Sequence, residues 1–178
     1  ASNIGSTQDL RAIAHPSLLE LASSLSVTAF LSIFKEDAAV CLDRVHDMRG
    51  LEVHWWQVGG TLPLNTGGAP KVLLAYQPQE EIERLLSGPL KPLSEKSITS
   101  KDELLERLAE VRERGWECAV DDVALGLTAL AVPVLDADNM PICAISIAGL
   151  TPQFIKDGKP VHLERLQQTA EHIRRQLV

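Results

Sequence analysis

Gly126-Leu127-Thr128-Ala129-Leu130-Ala131-Val132-Pro133-Val134-Leu135, the turn Asp136-Ala137-Asp138-Asn139, and Ile142-Cys143-Ala144-Ile145-Ser146-Ile147-Ala148 decide how this chain folds. Two apolar, β-branched runs on either side of an Asp/Asn-rich turn predict a hairpin of neighbouring antiparallel strands. Successive strand side chains point to opposite faces, so Cys143, Ile145 and Ile147 face one way and Ala144, Ser146 and Ala148 the other. On the partner strand Leu127, Ala129 and Ala131 share a face. Small residues on adjoining strands leave space beneath whatever packs there. Helices over that space either enclose a ligand or fill it with their own side chains, and spacing alone leaves both outcomes open.

Outward from the hairpin, residues 8–26 predict a helix with Leu10, Ile13, Leu18, Leu21 and Leu25 on one side, broken or restarted at Pro16. Strands are expected over 27–34, 38–46 and 51–58. The third carries Trp55 and Trp56 on opposite faces, one in the core and the other a candidate anchor at a subunit contact. Short helices follow over 70–76 and 79–86. Ser100-Lys101-Asp102-Glu103 is a capping box opening a helix with Leu104, Leu108 and Val111, which Gly115 closes. A last helix runs over 160–177. Antiparallel strand pairs with helices before, between and after them imply one α+β domain, residues 1–178, built on a single sheet.

The 178 residues carry a formal net charge of -7, with 45% hydrophobic and 23% charged residues. That balance suits a soluble globular domain and argues against this chain gripping nucleic acid by itself. Cys41, Cys118 and Cys143 have no metal-ligand spacing; Cys41 and Cys143 sit in apolar runs and read as buried inert thiols, as expected in a reducing cytoplasm. No apolar run approaches bilayer length, so no membrane partner is expected. The polar start Ala1-Ser2-Asn3-Ile4-Gly5-Ser6 is not a signal peptide, and without an initiating methionine it reads as the leader of an excised domain.

The richest chemical segment is Leu62-Pro63-Leu64-Asn65-Thr66-Gly67-Gly68-Ala69-Pro70-Lys71-Val72-Leu73-Leu74-Ala75. A glycine pair permits a tight turn and close backbone approach, and Pro70 suits the first helical position. Free N–H groups at that start can hold a carboxylate. Elsewhere signals are weaker. Asp121-Asp122 reads as a solvated turn and His54 as a hydrogen-bonded core or interface histidine; His162 and His172 are too far apart in sequence to share a metal. Neither a Gly-x-Ser-x-Gly elbow nor a P-loop occurs. No catalytic residue, metal or cofactor is therefore expected. Two other classes stay open: a small enzyme using Asp122 or Cys118, and a pure assembly module whose pocket is filled.

Taken in order, several stretches together resemble the effector-binding domain of IclR-type transcriptional regulators. They are Leu62 through Ala75, Ser97-Ile98, Gly115-Trp116 followed by Asp121-Asp122 and Gly126, Ala131 through Asp136, and Ala144 through Gly149. The resemblance implies a GAF- or profilin-like fold that binds a small organic or aromatic acid and assembles into dimers or tetramers. It also implies an N-terminal winged helix-turn-helix, outside this sequence, that contacts operator DNA. The ligand-binding positions it implies are Leu51, His54, Leu62, Gly68, Ala69, Ala129 and Ser146. Ala119 and Ala148 stand where one branch has an acidic residue and a serine, which implies a larger, drier pocket. Further departures are Pro70 for glycine, Asp121-Asp122 for two glutamates and Gln153 for arginine.

Overall fold

A computed structural model describes residues 7–177, so the polar segment 1–6 lies outside the described residues. One antiparallel sheet of six strands has helices on both faces. The strands, in chain order, are β1 (Thr28–Lys35), β2 (Ala38–His46), β3 (Thr61–Leu62), β4 (Glu117–Val120), β5 (Leu127–Leu135) and β6 (Pro141–Leu150). In space they run β3-β2-β1-β6-β5-β4, which makes the two hairpins β1–β2 and β5–β6 neighbours through the central β1–β6 pair. A second, two-stranded ribbon pairs β7 (Ile155–Lys156) with β8 (Lys159–Pro160).

Register sets the two faces. Thr28 pairs with Ala148, Phe30 with Ser146 and Ser32 with Ala144. On β5, Ala129 pairs with Ala148 and Ala131 with Ser146. The face bearing Ala129, Ala131, Ala144 and Ala148 is covered by α2 (Ala69–Ala75), α3 (Gln79–Leu85) and α4 (Lys101–Arg114), which bury Val72, Leu73, Ile82, Leu104, Leu108 and Val111 against it. The opposite face, with Leu130, Val132, Cys143, Ile145 and Ile147, is covered by α1 (Thr7–Leu25), the short α5 (Thr151–Phe154) and α6 (Leu163–Leu177). The expected alternation of the hairpin is thus the partition between the two cores.

Two sequence expectations are corrected. Helix α1 runs unbroken through Pro16, because Pro16 and Ala12 both lie on the exposed face and the carbonyl that the ring frees meets water. Residues 51–58 form no strand. The chain there crosses the rim of the sheet and is fastened by side chains: the Val53 N–H donates to Thr28 Oγ1 (3.0 Å), and Arg44 Nε donates to the Val53 carbonyl (3.2 Å). An apolar cluster read as a strand is instead a strap over the core. Edge strands β3 and β4 carried no strong alternation and were not foreseen.

Candidate functional site

The turn before α2 lies against the small-residue face of the sheet. Gly67 has φ +70°, a conformation that suits glycine. At Gly68 the reason is different: a Cβ would lie 2.9 Å from the Ala131 Cβ and 3.3 Å from its backbone nitrogen. The absent side chain lets the start of α2 rest directly on β5. Pro70 occupies the first turn, where it removes no helical hydrogen bond.

This contact leaves only a narrow gap of about 10 Å³, room for about one water and far below the roughly 300–1,000 Å³ usual for drug-sized ligands. It is lined by Phe30 from β1, Trp55 and Trp56 from the strap, Leu62 from β3, Gly67, Gly68, Ala69 and Pro70 above, and Ala129 and Ser146 on the floor. Five of the seven expected binding positions therefore meet: Leu62, Gly68, Ala69, Ala129 and Ser146. Leu51 and His54 lie apart from the lining, both exposed, with His54 Nε2 3.3 Å from Glu52 Oε2. In their place the strap turns Trp55 and Trp56 inward. Trp56 stacks on Phe30 with ring centroids 5.9 Å apart and donates from Nε1 to the Gly60 carbonyl. The two tryptophans face one pocket rather than opposite sides of a strand, so neither is an exposed anchor. Ala119, Ala129 and Ala148 stand side by side across β4, β5 and β6, which keeps that end of the floor low and apolar.

Beneath the α2 start lies a buried charge cluster that sequence reading missed. Asp122, expected in a solvated turn, is buried; its Oδ1 accepts from the Gly67 N–H (2.9 Å) and its Oδ2 from Lys71 Nζ (2.7 Å). Lys71, wholly buried, also lies 3.0 Å from Glu117 Oε2. Glu117 Oε1 accepts from Arg114, and Oε2 sits 3.7 Å from Arg107. No well-directed hydrogen bond reaches Glu117 Oε2, so it is held by the surrounding cations alone. The sequence signal was present in the pairing of a lysine one turn into a helix with an acidic pair far along the chain. Nothing local announced that they meet.

The arrangement offers little for covalent chemistry. Both oxygens of Asp122 are committed. Cys118 lies half-buried on the other face of β4, where desolvation and then the Glu117 carboxylate push its thiol up to about 11. Desolvation raises the buried Cys41 and Cys143 thiols to about 12. All three are thiols near neutral pH, not nucleophilic thiolates. Among the described residues no cluster of His, Cys, Asp and Glu is arranged to hold a metal ion, and no helix is long and apolar enough to cross a membrane.

Comparison with known proteins gives a consistent answer. Residues 3–175 match the family described as bacterial transcriptional regulator IclR C-terminal. The HTH-type transcriptional regulator KdgR of Dickeya chrysanthemi is 31% identical over 170 residues, 95% of this chain and 55% of that protein. The transcriptional repressor IclR of Escherichia coli is 30% identical over 154 residues, 85% of this chain and 56% of that protein. The chain thus spans about half the length of these relatives. Among solved structures, the C-terminal domain of E. coli KdgR superposes with TM-score 0.79 at 28% identity, covering 94% of this chain and 98% of that one. An IclR homolog from Microbacterium hydrocarbonoxydans, complexed with 4-hydroxybenzoate, has the same fold: TM-score 0.87 at 22% identity, with 99% of this chain and 71% of that chain covered.

Proposed function

The chain belongs to the IclR family of bacterial transcriptional regulators, as their C-terminal domain, and from that premise we infer that it senses a small organic acid with an aromatic body. The observation that carries this reading is the meeting of Phe30, Trp55, Trp56 and Ser146 around a narrow gap between the α2 start and the sheet. Three aromatic rings favour a flat apolar ligand body. The α2 N–H groups favour a negative charge. Asp122 already occupies the Gly67 N–H, and Lys71 is spent on Asp122 and Glu117. A ligand carboxylate is left the Gly68 and Ala69 N–H groups and the Ser146 hydroxyl. The gap of about 10 Å³ is narrower than one ring, so an aromatic acid enters only as the strap and the α2 turn move apart. The ligand bound to the Microbacterium relative, 4-hydroxybenzoate, is an aromatic acid of that class.

In the full-length protein this domain acts in the cytoplasm behind an N-terminal DNA-binding domain, self-associates as a dimer or tetramer, and biases operator binding by favouring one quaternary arrangement. The relatives' greater length and their names support the DNA-binding part of that reading. Calorimetric titration with benzoate and with neutral sugars tests the sensor itself. Benzoate is expected to bind and the sugars not to. Ser146→Ala removes one hydrogen bond to a charged group and should weaken binding by about 1.5–3 kcal/mol. Equal binding by parent and variant would remove Ser146 from the site.

A further inference from the structure

The strap over 51–58 takes no place in the sheet ladder. Just beyond its C-terminal end the backbone is pinned: the Gly59 N–H donates to the Cys41 carbonyl (2.8 Å), and the Cys41 N–H to the Gly60 carbonyl (3.1 Å). Before that end, side chains of β1 and β2 hold the strap. Thr28 Oγ1 donates to the Leu51 carbonyl and accepts from the Val53 N–H, and His46 Nδ1 lies 3.4 Å from Glu52 Oε1. The largest share falls to Arg44.

Register sets Arg44 in one row with Phe30, Ser146 and Ala131 across β2, β1, β6 and β5, so its side chain leaves the sheet beside the Phe30 ring that lines the gap. Its guanidinium then meets four residues of the strap. Nε donates to the Val53 carbonyl (3.2 Å), Nη1 to Gln57 Oε1 (3.4 Å) and Nη2 to the Glu52 carboxylate, with His54 Nδ1 3.3 Å from Nη2. A planar fork of donors can hold several partners at once, which the point charge of a lysine cannot. Trp55 and Trp56, which wall the gap, follow His54 and precede Gln57, inside the segment that Arg44 grips. His54 and Gln57 are exposed, so water can replace these bonds when they break. Segments held by few such bonds are the ones that open locally.

We propose that the strap is the lid of the effector site and Arg44 its latch, a positioning residue that sets effector affinity without touching the effector. This rests on the acid-binding role inferred above. At about 10 Å³ the gap admits no aromatic ring, so the ligand-bound arrangement is one in which the strap has left Arg44. The cost of releasing the latch is then subtracted from the affinity: the apparent Kd is the intrinsic value divided by the fraction of molecules with the strap open. Weakening the latch raises that fraction, so it tightens binding.

The test uses Arg44→Lys, which keeps the charge and the apolar stem but not the fork, with Arg44→Ala beside it. All proteins, the reference included, carry Trp116→Phe, so that of the three tryptophans only Trp55 and Trp56 report. Acrylamide quenching of the ligand-free proteins reads the strap, and calorimetric titration with benzoate reads the site. Both variants should melt cooperatively, quench more strongly than the reference and bind benzoate about tenfold more tightly. A residue that only supports the fold would not tighten binding when weakened. Unchanged quenching in both variants overturns the latch, while benzoate binding by the reference keeps the acid-binding role intact. Stronger quenching with equal or weaker benzoate binding also overturns it, since Arg44 then does not hold the site shut. Loss of the cooperative melt in both variants does the same, because Arg44 then belongs to the fold and not to a lid. Stronger quenching with no benzoate binding by any of the proteins overturns the acid-binding role and the gate together.

Discussion

Both carboxylate oxygens of Asp122 are used inside the protein, one on the Gly67 N–H and one on Lys71 Nζ, and both partners are more than fifty residues away in sequence. The residue fixes the turn whose backbone roofs the pocket. Removing one partner of a buried pair leaves the other charge uncompensated, a loss on the order of 3–5 kcal/mol. Asp122→Asn keeps the shape and one acceptor but not the charge; it should lower the urea midpoint of unfolding markedly, and an unchanged midpoint would show that the pair contributes nothing. Gly68→Val is a poor probe of ligand contact for a related reason. Its Cβ would meet Ala131 at 2.9 Å, so it would lift α2 from the sheet before any ligand was involved.

His162 gives a pH-dependent prediction at the same scale. It packs edge-on against Phe154, and desolvation lowers its pKa in the folded state below the ordinary 6.5, although a hydrogen bond from its ring to the Gln153 backbone carbonyl offsets part of the effect. The unfolded chain therefore binds the proton more readily than the folded one. Stability from this group is fully present above pH 6.5 and falls as the pH drops through that value toward the folded pKa. Denaturant titrations of the parent and His162→Gln between pH 7.5 and pH 5, values chosen as roughly one unit or more either side of the ordinary pKa, should show a steeper decline for the parent. Parallel declines would mean the ring is not penalised on protonation.

At the scale of elements, α4 shows what local sequence determines. Ser100 Oγ accepts from the Glu103 N–H, and Gly115 ends the helix at φ +85°, both as its flanking residues imply. The two ends are roughly 20 Å apart for fourteen residues. Ser100→Ala and Gly115→Ala should therefore each cost about 1 kcal/mol and add in the double variant. A strongly non-additive double variant in thermal melts would show that the ends communicate. The β1–β2 and β5–β6 hairpins were legible for the same kind of reason, since alternation and turn chemistry lie within a few residues. The strap was not. Val53, Trp55 and Trp56 carry strand-like composition, but their burial comes from wrapping a pocket, and the bonds that hold them come from Thr28 and Arg44. Strand β4 escaped notice because its Glu117 is buried by ion pairs with distant Lys71 and neighbouring arginines rather than by an apolar pattern.

At the scale of the molecule, the sheet separates two cores of different make-up. The α1/α6 side is filled by Leu, Ile and Val from both layers. On the other side the floor is made of alanines and serines, and the short helix α2 is drawn down at Gly68, so the space closes under the tryptophans rather than under helix side chains. Sequence spacing left open whether that space would be filled, because the answer depends on the strap, whose course was not readable. Pocket residues and the buried Lys71–Asp122 pair share the same turn, so ligand occupancy and the packing of β4 and α4 act on one piece of backbone.

Effector sensing at this site requires a ligand to enter the gap beneath α2. Ala129 contributes its Cβ to the floor, and Ala129→Leu adds bulk directed into the space. Calorimetric titration of benzoate into the parent and into Ala129→Leu, with the variant's fold confirmed by a cooperative melt, is the most direct measurement. Saturable binding to the parent and its loss in the variant is the predicted result. Binding of equal strength to both proteins would place the ligand elsewhere and contradict the account.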